Sequence, residues 1–279
     1  LSFYGPPPYL SACSQAIWQG DAPLLVRNYD YAPLAFDAVV LKTGWQGRGG
    51  IGMSDGLFGL VDGINDAGLA VSLTFGGRRN TGRGFGVPLI LRYVLQTCTS
   101  TEEAGAALAR IPCHMSYNVT VLDAGRQFLT AYLAPDRKPV LSHAAVATNH
   151  QERVEWSSHA RFTATVERER FLLQQLSLHP TTDDRFVAAF LRRKFGVIGH
   201  FPLGILCPAS PPIIRIAPRH RVRIGFDQLA NGKPVLDRAG IAHEMSSPLL
   251  SGGPYTLRGR GPLVQYWPGG SMPQPSFGR

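Results

Sequence analysis

The sequence has few charged residues and no long apolar run. Charged side chains make up 17% of the 279 residues and hydrophobic ones 44%, a balance typical of soluble globular proteins and not of disordered chains. No stretch approaches the roughly 18 consecutive apolar residues of a membrane span, so we expect none. The first ten residues lack the basic and apolar regions of a signal peptide. We expect a cytoplasmic protein, although the leading Leu1 leaves an upstream segment open.

Cysteine is scarce, and its spacing argues against two of its common uses. The four cysteines form no CxxC pair and have no histidine at metal-ligand spacing; they are Cys13, Cys98, Cys113 and Cys207. We therefore expect neither a zinc site nor a disulfide framework, but independent thiols. No metal ion and no cofactor are expected.

Acidic residues are outnumbered by basic ones, 19 to 28, which leaves a formal net charge of +9. Nearly all of the excess lies between Arg192 and Arg260, where eleven Lys and Arg accompany three Asp and Glu. The rest of the chain is almost neutral, so no nucleic-acid partner is expected. One alternative stays open: a non-enzymatic protein that binds a polyanion through this basic segment and the arginine-containing loop 76–86.

The pattern of apolar residues predicts an α+β protein. Alternation and β-branching predict strands, and apolar residues at helical spacing predict helices. The predicted strands are residues 13–18, 24–29, 36–43, 57–62, 69–75, 115–122, 127–133 and 144–148. The predicted helices are residues 87–97, 101–111, 159–176 and 182–190. This order, strands then two helices then strands then two helices, is that of a layered fold without βαβ alternation.

Three stretches have no regular period. Residues 44–56 and 76–86 are rich in glycine and are predicted to be loops, the second of them flexible. From about 194 to 246, prolines and alternating basic and apolar residues give no assignment. The sequon Asn118-Val119-Thr120 lies in an apolar alternation, which favours a buried strand over a glycosylated loop.

Cys13 is a candidate nucleophile because of its predicted hairpin partners. Adjacent strands lie about 5 Å apart, so pairing of residues 13–18 with 24–29 would bring Arg27 and Asp30 beside Cys13. A cysteine attacks only as the thiolate, which a nearby base or positive charge favours. The alternative interpretation is a buried cysteine that acts as a small hydrophobic side chain.

Four motifs in order make this chain resemble the peptidase C45 family. That family includes the acyl-CoA:isopenicillin N acyltransferases, belongs to the cysteine N-terminal-nucleophile (Ntn) hydrolases, and is similar in its core to choloylglycine hydrolases and acid ceramidases. The resemblance runs from Cys13 to about Leu176, and the C-terminal WPGGSMPQPSFGR is similar to the family's last strand. The motifs are Cys13-Ser14-Gln15, Val26-Arg27-Asn28-Tyr29-Asp30-Tyr31, residues 62–71 and Ala147-Thr148-Asn149-His150.

The resemblance implies a fold and a maturation step. The fold is a four-layer αββα sandwich, two antiparallel sheets flanked by helices. Members are made as precursors that cleave themselves before the nucleophile, which implies scission between Ala12 and Cys13. Residues 1–12 would then be a propeptide remnant, and residues 13–279 a single Ntn-hydrolase domain with an atypical segment at about 194–246.

The resemblance also implies a reaction through a thioester on Cys13. The enzyme would cleave a linear amide or transfer its acyl group. The freed α-amino group, with an ordinary pKa of about 7.7 to 8.0, would act as the base for the thiol. The roles of the other residues follow: Asp30 orients that amine, Arg27 favours the thiolate, and Asn149 donates to the oxyanion. Two further residues are implied as oxyanion or supporting groups, namely Thr74 and Arg168.

Partners and specificity are implied only in outline. The substrate would be a small-molecule amide or acyl donor, with acyl-CoA as a possible acyl-donor co-substrate, and the cleaved propeptide would be a partner. Specificity is expected in loops 44–56 and 76–86. Ala12 stands where relatives often have glycine, and the segment 194–246 replaces the usual short approach to the last strands, as a real insertion or a sequence artefact. An inactive family member is therefore the other alternative.

Overall fold

The computed structural model describes residues 12–20, 23–28, 39–55 and 59–178, together with seven short strands between residues 203 and 268. Within these ranges, no helix is both long enough and apolar enough to cross a membrane. The predicted helix 182–190 and the candidate residue Asp30 lie outside the described residues.

The first sheet has six strands and carries Cys13 at the entry to its first strand. All neighbouring strands are antiparallel, in the order β10-β1-β2-β11-β12-β13. These strands are β1 (Ser14–Trp18), β2 (Leu24–Asn28), β10 (Val146–Ala147), β11 (Leu203–Cys207), β12 (Ile213–Ala217) and β13 (Val222–Gly225).

The second sheet has nine strands, in the order β16-β17-β3-β4-β5-β6-β7-β8-β9. Its pairs are antiparallel except for β17 and β3, which run parallel. The strands are β3 (Val39–Thr43), β4 (Gly50–Asp55), β5 (Gly59–Asn65), β6 (Ala70–Phe75), β7 (Tyr117–Leu122), β8 (Phe128–Leu133), β9 (Val140–Ser142), β16 (Tyr255–Leu257) and β17 (Val264–Pro268). A separate pair consists of β14 (Val235–Leu236) and β15 (Ala242–His243).

In the described part of the chain, four helices flank the two sheets. They are α1 (Val87–Thr97), α2 (Thr101–Arg110), α3 (Ser157–Thr163) and α4 (Thr165–Ser177). Helices α1 and α2 pack on β5 and β8 of the nine-stranded sheet, α4 packs on β1 and β10, and β1 and β2 contact β6 between the sheets. The predicted four-layer αββα architecture is therefore confirmed.

Helices α1 and α2 form where local signals predicted them. A proline stands in the first turn of α1, where its missing N–H is not needed. The Ser100 side chain accepts a hydrogen bond from the Glu103 N–H, 3.2 Å away, and caps α2. The returning Glu103 carboxylate accepts from the Thr99 N–H at 2.6 Å. The apolar faces of both helices are buried in the main core cluster, which also contains Cys13.

The prediction of a loop at residues 44–56 was wrong in its second half, where β4 runs from Gly50 to Asp55. Glycine is needed there for close packing and not for a turn. A Cβ at Gly52 would lie 2.3 Å from the Asp62 carbonyl oxygen on the neighbouring β5. Short β9 was also missed.

The single predicted helix 159–176 is two helices. The chain breaks at Ala164, which has φ 47° and ψ 41° in the left-handed region, so α3 ends and α4 begins in a new direction. The unassigned segment 194–246 contains strands β11 to β15, of which β11 to β13 extend the six-stranded sheet.

The sequon lies on β7, as its apolar alternation predicted. Asn118 is fully buried, and its Nδ2 donates to Thr74 Oγ1, to the Thr148 carbonyl and to the His150 carbonyl at 2.8 to 3.1 Å. A side chain engaged in this way is inaccessible to glycosylation.

Candidate active site

Cys13 and Ala12 lie inside the protein, immediately before β1. Each is 1% exposed, and Cys13 belongs to the same apolar cluster as Phe75 at the end of β6. Burial excludes bulk water from the thiol, so the donors and charges placed around it act at short range in a low dielectric.

Arg168 connects the peptide on both sides of Cys13 with Asn149. Its Nη1 lies 3.1 Å from the Ala12 carbonyl oxygen and also donates to the Cys13 carbonyl oxygen. Its Nη2 donates to Asn149 Oδ1 at 2.7 Å, and its Nε to the Thr163 carbonyl at 2.8 Å. The side chain comes from the first turn of α4 and is 5% exposed. One planar guanidinium therefore orients the predicted cleavage site and the predicted oxyanion donor together.

The position of Asn149 relative to Cys13 follows from the register between β1 and β10. Gln15 pairs with Ala147 and Ala16 with Val146, and continuing this register places Asn149 opposite Cys13. The amide orientation follows from its neighbours: the guanidinium has only donors, so Oδ1 faces Arg168, and Nδ2 donates to the Phe75 carbonyl at 3.2 Å.

The end of β6 approaches Asn149 closely at Gly77. This residue has a φ of +69°, and a Cβ added there would lie 2.1 Å from the Asn149 carbonyl oxygen. A side chain at Gly77 would therefore displace the Asn149 backbone, and the left-handed conformation itself favours glycine.

Arg27 lies on β2 and is fully buried in an ion pair that the sequence reasoning missed. Gln15 pairs with Arg27 across β1 and β2, which puts Arg27 on the same face of the sheet as Cys13. Arg27 Nη1 donates to Asp62 Oδ2 at 2.8 Å, and Asp62 Oδ1 accepts from the Met53 N–H at 3.1 Å. Burial raises the pKa of Asp62 above its ordinary value, and the charge of Arg27 offsets part of that rise. Asp62 is the first residue of the motif 62–71, and this position in a family motif was the signal that could have identified it as a site residue.

Thr74 uses its side chain to hold the strand that leads to Asn149. Its hydroxyl donates to the Thr148 carbonyl at 2.8 Å and accepts from Asn118 Nδ2 at 3.1 Å. Thr74 therefore contacts the residue before Asn149. A direct role of Thr74 at the oxyanion stays a prediction.

Two other polar contacts near Cys13 come from residues that the sequence reasoning did not assign to the site. The Ser72 hydroxyl donates to Gln15 Oε1, and Gln15 Nε2 lies 3.3 Å from the Asn118 carbonyl, so a buried polar bridge joins the two sheets. The Thr165 hydroxyl accepts from the Asn149 N–H at 2.7 Å. Gln15 belongs to the Cys13 motif, and Thr165 stands at the Ser/Thr position that precedes the implied arginine, Arg168.

Loop 76–86 is anchored at its first arginine. Arg78 donates to Asp136 at 2.7 and 2.8 Å and to Glu155 at 2.8 Å. These contacts raise the pKa of Arg78, and the Arg78 hydrogen bonds lower the pKa of Asp136. Arg79 stacks on the Trp156 ring, 4.3 Å from its centroid. The prediction of a flexible loop, made from its composition, did not anticipate these contacts.

The described residues outside this site add no metal centre: no group of three or more His, Cys, Asp or Glu could hold an ion among them. Cys98 and Cys113 are buried free thiols. Burial raises the pKa of both, that of Cys113 to about 12, so neither is a thiolate near neutral pH. Cys13 differs from them in that its carbonyl oxygen accepts a hydrogen bond from Arg168, which also binds Asn149.

Comparison with solved structures gives the fold. Penicillin V acylase from Agrobacterium tumefaciens is 13% identical with a TM-score of 0.56, covering 84% of this chain and 93% of that chain. The N-acylethanolamine-hydrolyzing acid amidase ortholog of Caenorhabditis elegans is 13% identical with a TM-score of 0.52, covering 71% and 94%. A mutant conjugated bile acid hydrolase from Clostridium perfringens is 11% identical with a TM-score of 0.53, covering 81% and 96%. All three have the Ntn-hydrolase fold.

Comparison of sequences gives the family. No curated protein sequence matches the chain significantly. The family model described as acyl-coenzyme A:6-aminopenicillanic acid acyl-transferase matches residues 18–196, which is more than half of the chain and includes Arg27, Asn149 and Arg168. The chain therefore belongs to the acyl-coenzyme A:6-aminopenicillanic acid acyl-transferase family and has the Ntn-hydrolase fold.

Proposed function

We propose that this protein is a self-processing cysteine Ntn enzyme that forms a thioester on Cys13 and cleaves a linear amide or transfers its acyl group. Family membership and fold support the broader class, an enzyme that hydrolyses amides or transfers acyl groups. The observation that carries the proposal is the guanidinium of Arg168, which contacts the Ala12 carbonyl, the Cys13 carbonyl and Asn149 Oδ1.

The first proposed step is cleavage of the Ala12–Cys13 bond. The Cys13 thiol attacks the Ala12 carbonyl carbon, the C–N bond breaks, and the Cys13 nitrogen takes the thiol proton and becomes an α-amino group. Water then hydrolyses the thioester to an Ala12 carboxylate and a free thiol. Arg168 Nη1, already at the Ala12 oxygen, would stabilise the negative charge that develops there. The released propeptide, 1–12, is the proposed partner of the mature chain.

Turnover uses the new chain terminus. The α-amino group takes the proton of the Cys13 thiol and returns it to the leaving amine, and Asp30 orients the amino group. Asn149 Nδ2 uses one hydrogen on the Phe75 carbonyl, and its second hydrogen is directed to the oxyanion of the substrate. Arg27 acts through its buried pair with Asp62, so its effect on the thiolate is that of the pair and not of an isolated charge.

The names of the family and of the structural neighbours suggest a substrate panel. It comprises penicillin V, a conjugated bile acid, an N-acylethanolamine, and an acyl-CoA offered together with 6-aminopenicillanic acid. The last pair tests acyl-CoA as acyl donor and separates transfer from hydrolysis. Location in the cytoplasm stays a prediction.

The test is intact-mass spectrometry of the purified protein before and after incubation with this panel. We expect a mature chain that begins at Cys13 and a transient mass increase by one acyl group. Cys13→Ala should abolish both, whereas Cys98→Ala, which alters another buried thiol, should keep both. An intact precursor in the wild type, together with amide turnover unaffected by Cys13→Ala, would refute the proposal.

A further inference from the structure

We propose that Thr165 is a positioning residue for Asn149, and that the His150–Glu169 pair holds the Thr165 hydroxyl in place from the solvent side. The inference rests on the proposed function, because it assumes that the Asn149 amide donates to the reacting oxygen. It adds roles for Thr165, His150 and Glu169, to which neither the family resemblance nor the comparisons assign one.

Thr165 holds the main chain of Asn149. It is fully buried at the first position of α4, immediately after the left-handed Ala164. Its Oγ1 accepts from the Asn149 N–H at 2.7 Å and donates to Thr148 Oγ1 at 2.8 Å. The Thr148 hydroxyl in turn donates to the Thr165 carbonyl at 3.0 Å. Two hydroxyls therefore tie the residue before Asn149 and Asn149 itself to the start of α4.

The same helical turn also holds the side chain of Asn149. Arg168 follows Thr165 by three residues, so both project from one face of α4. Arg168 binds Asn149 Oδ1 while Thr165 binds the Asn149 N–H. With both ends of the residue attached to one rigid element, the direction in which Nδ2 points depends on where α4 begins.

His150 reaches the Thr165 hydroxyl from outside. Its Nδ1 lies 3.0 Å from Thr165 Oγ1 and 3.3 Å from Thr148 Oγ1, and its Nε2 lies 3.2 Å from Glu169 Oε2. The His150 side chain is 10% exposed and that of Glu169 31%. A series of close polar contacts thus runs from the partly exposed Glu169 carboxylate through the His150 imidazole to the hydroxyl that binds Asn149.

The decisive variant is Thr165→Val, which keeps the shape of the side chain but removes the acceptor of the Asn149 N–H. A displacement of about 1 Å at a catalytic group costs on the order of a hundredfold in rate. We therefore expect acylation about tenfold to a hundredfold slower, with a KM within about twofold of the wild type. Thr165→Ser retains the hydroxyl and should stay within about threefold in both.

The matched control is Thr163→Val. Thr163 is also a fully buried threonine, two residues away, but its hydroxyl donates to the His159 carbonyl of its own helix at 2.9 Å. A loss due only to a missing buried hydroxyl would appear equally in this control, whereas loss of positioning would appear only at Thr165.

The probe is p-nitrophenyl acetate, whose carbonyl the Cys13 thiolate attacks. The ester C–O bond breaks, the acetyl group stays on sulfur, and coloured p-nitrophenolate leaves as a burst. Self-cleavage of each variant is followed in parallel by intact mass. If the wild type shows a burst of p-nitrophenolate, equal burst rates for Thr165→Val and Thr163→Val would refute the inference and leave the proposed function intact. A wild type without any burst would refute both.

A second variant covers the case in which Thr165→Val does not fold. His150→Phe keeps a ring at a partly exposed position and removes both nitrogens. We expect acylation about threefold to tenfold slower, and Glu169→Gln should lie between His150→Phe and the wild type. Wild-type acylation rates in both of these variants would overturn the inference.

Discussion

Arg168→Lys tests the central contact of the site. The substitution keeps the positive charge but replaces a planar group with five N–H donors by a single ammonium on a flexible stem. Arg168 donates to five acceptors through its Nε, Nη1 and Nη2 atoms. They are the carbonyls of Thr163, Ala12 and Cys13, the hydroxyl of Ser14, and Asn149 Oδ1.

The expected loss follows from this geometry. One ammonium has three donors, so at least two of the five acceptors lose their partner. A hydrogen bond from a charged group contributes about 1.5 to 3 kcal/mol, so the free energy of unfolding should fall by about 3 to 6 kcal/mol. Because domains of this kind are stable by only about 5 to 15 kcal/mol, the variant should fold with a visibly lower midpoint. Self-cleavage should slow by about 100-fold to 1,000-fold, the cost of losing one oxyanion donor.

Two measurements separate these effects. Urea unfolding is measured in a Cys13→Ala background, in which we expect no processing, so that the change in free energy reports only the lost contacts. Processing is followed by intact mass in the Cys13 background. Arg170→Lys is the matched control, since Arg170 is an exposed arginine two residues further along α4. An Arg168→Lys protein with the urea midpoint and processing rate of Arg170→Lys would refute the reasoning.

Three further predictions concern residues around the site. Asp62→Asn should lower the free energy of unfolding by about 3 kcal/mol, because it leaves the Arg27 charge buried without its carboxylate; an unchanged urea midpoint would contradict this. Gly77→Ala should slow acylation by p-nitrophenyl acetate at least about tenfold, since its Cβ would meet the Asn149 carbonyl; wild-type kinetics would show that the strand end yields instead. Because burial raises the pKa of Cys113 to about 12, iodoacetamide at pH 8 should leave Cys113 unmodified in the native protein, and its alkylation, detected by peptide mass, would contradict that burial.

Elements governed by local signals were predictable from the sequence. Helix α1 was predicted with its observed bounds, and α2 differs by one residue, because a first-turn proline and a Ser100 cap are local features. Strands β5 and β6 were predicted from alternation and β-branching, and the Asn, Asp and Gly residues between them favour a tight hairpin. The Asn65 side chain indeed accepts from the Ala67 and Leu69 N–H groups in that turn.

Elements whose conformation depends on contacts with distant parts of the chain were not predictable from the sequence. The sequence around Gly52 predicts a loop, but in the structure Gly52 allows β4 to pack closely against β5. The break at Ala164 has no glycine or proline to mark it, and it allows Thr165 and Arg168 to bind Asn149. Propensity is a weak prior when contacts distant in sequence decide the conformation.

The sequence by itself determined the layered α+β class, the family resemblance, and the candidate residues Cys13, Arg27 and Asn149, because these depend on local patterns and on motif order. Only the tertiary structure decided which of these residues lie close together in space. The β1–β10 register places Asn149 opposite Cys13, and Arg168 reaches the Cys13 carbonyl from a helix 155 residues away. Register and helix placement are set by packing between layers, a property of the whole chain, and so the opening peptide around Cys13 acquires its donors only when the fold is complete.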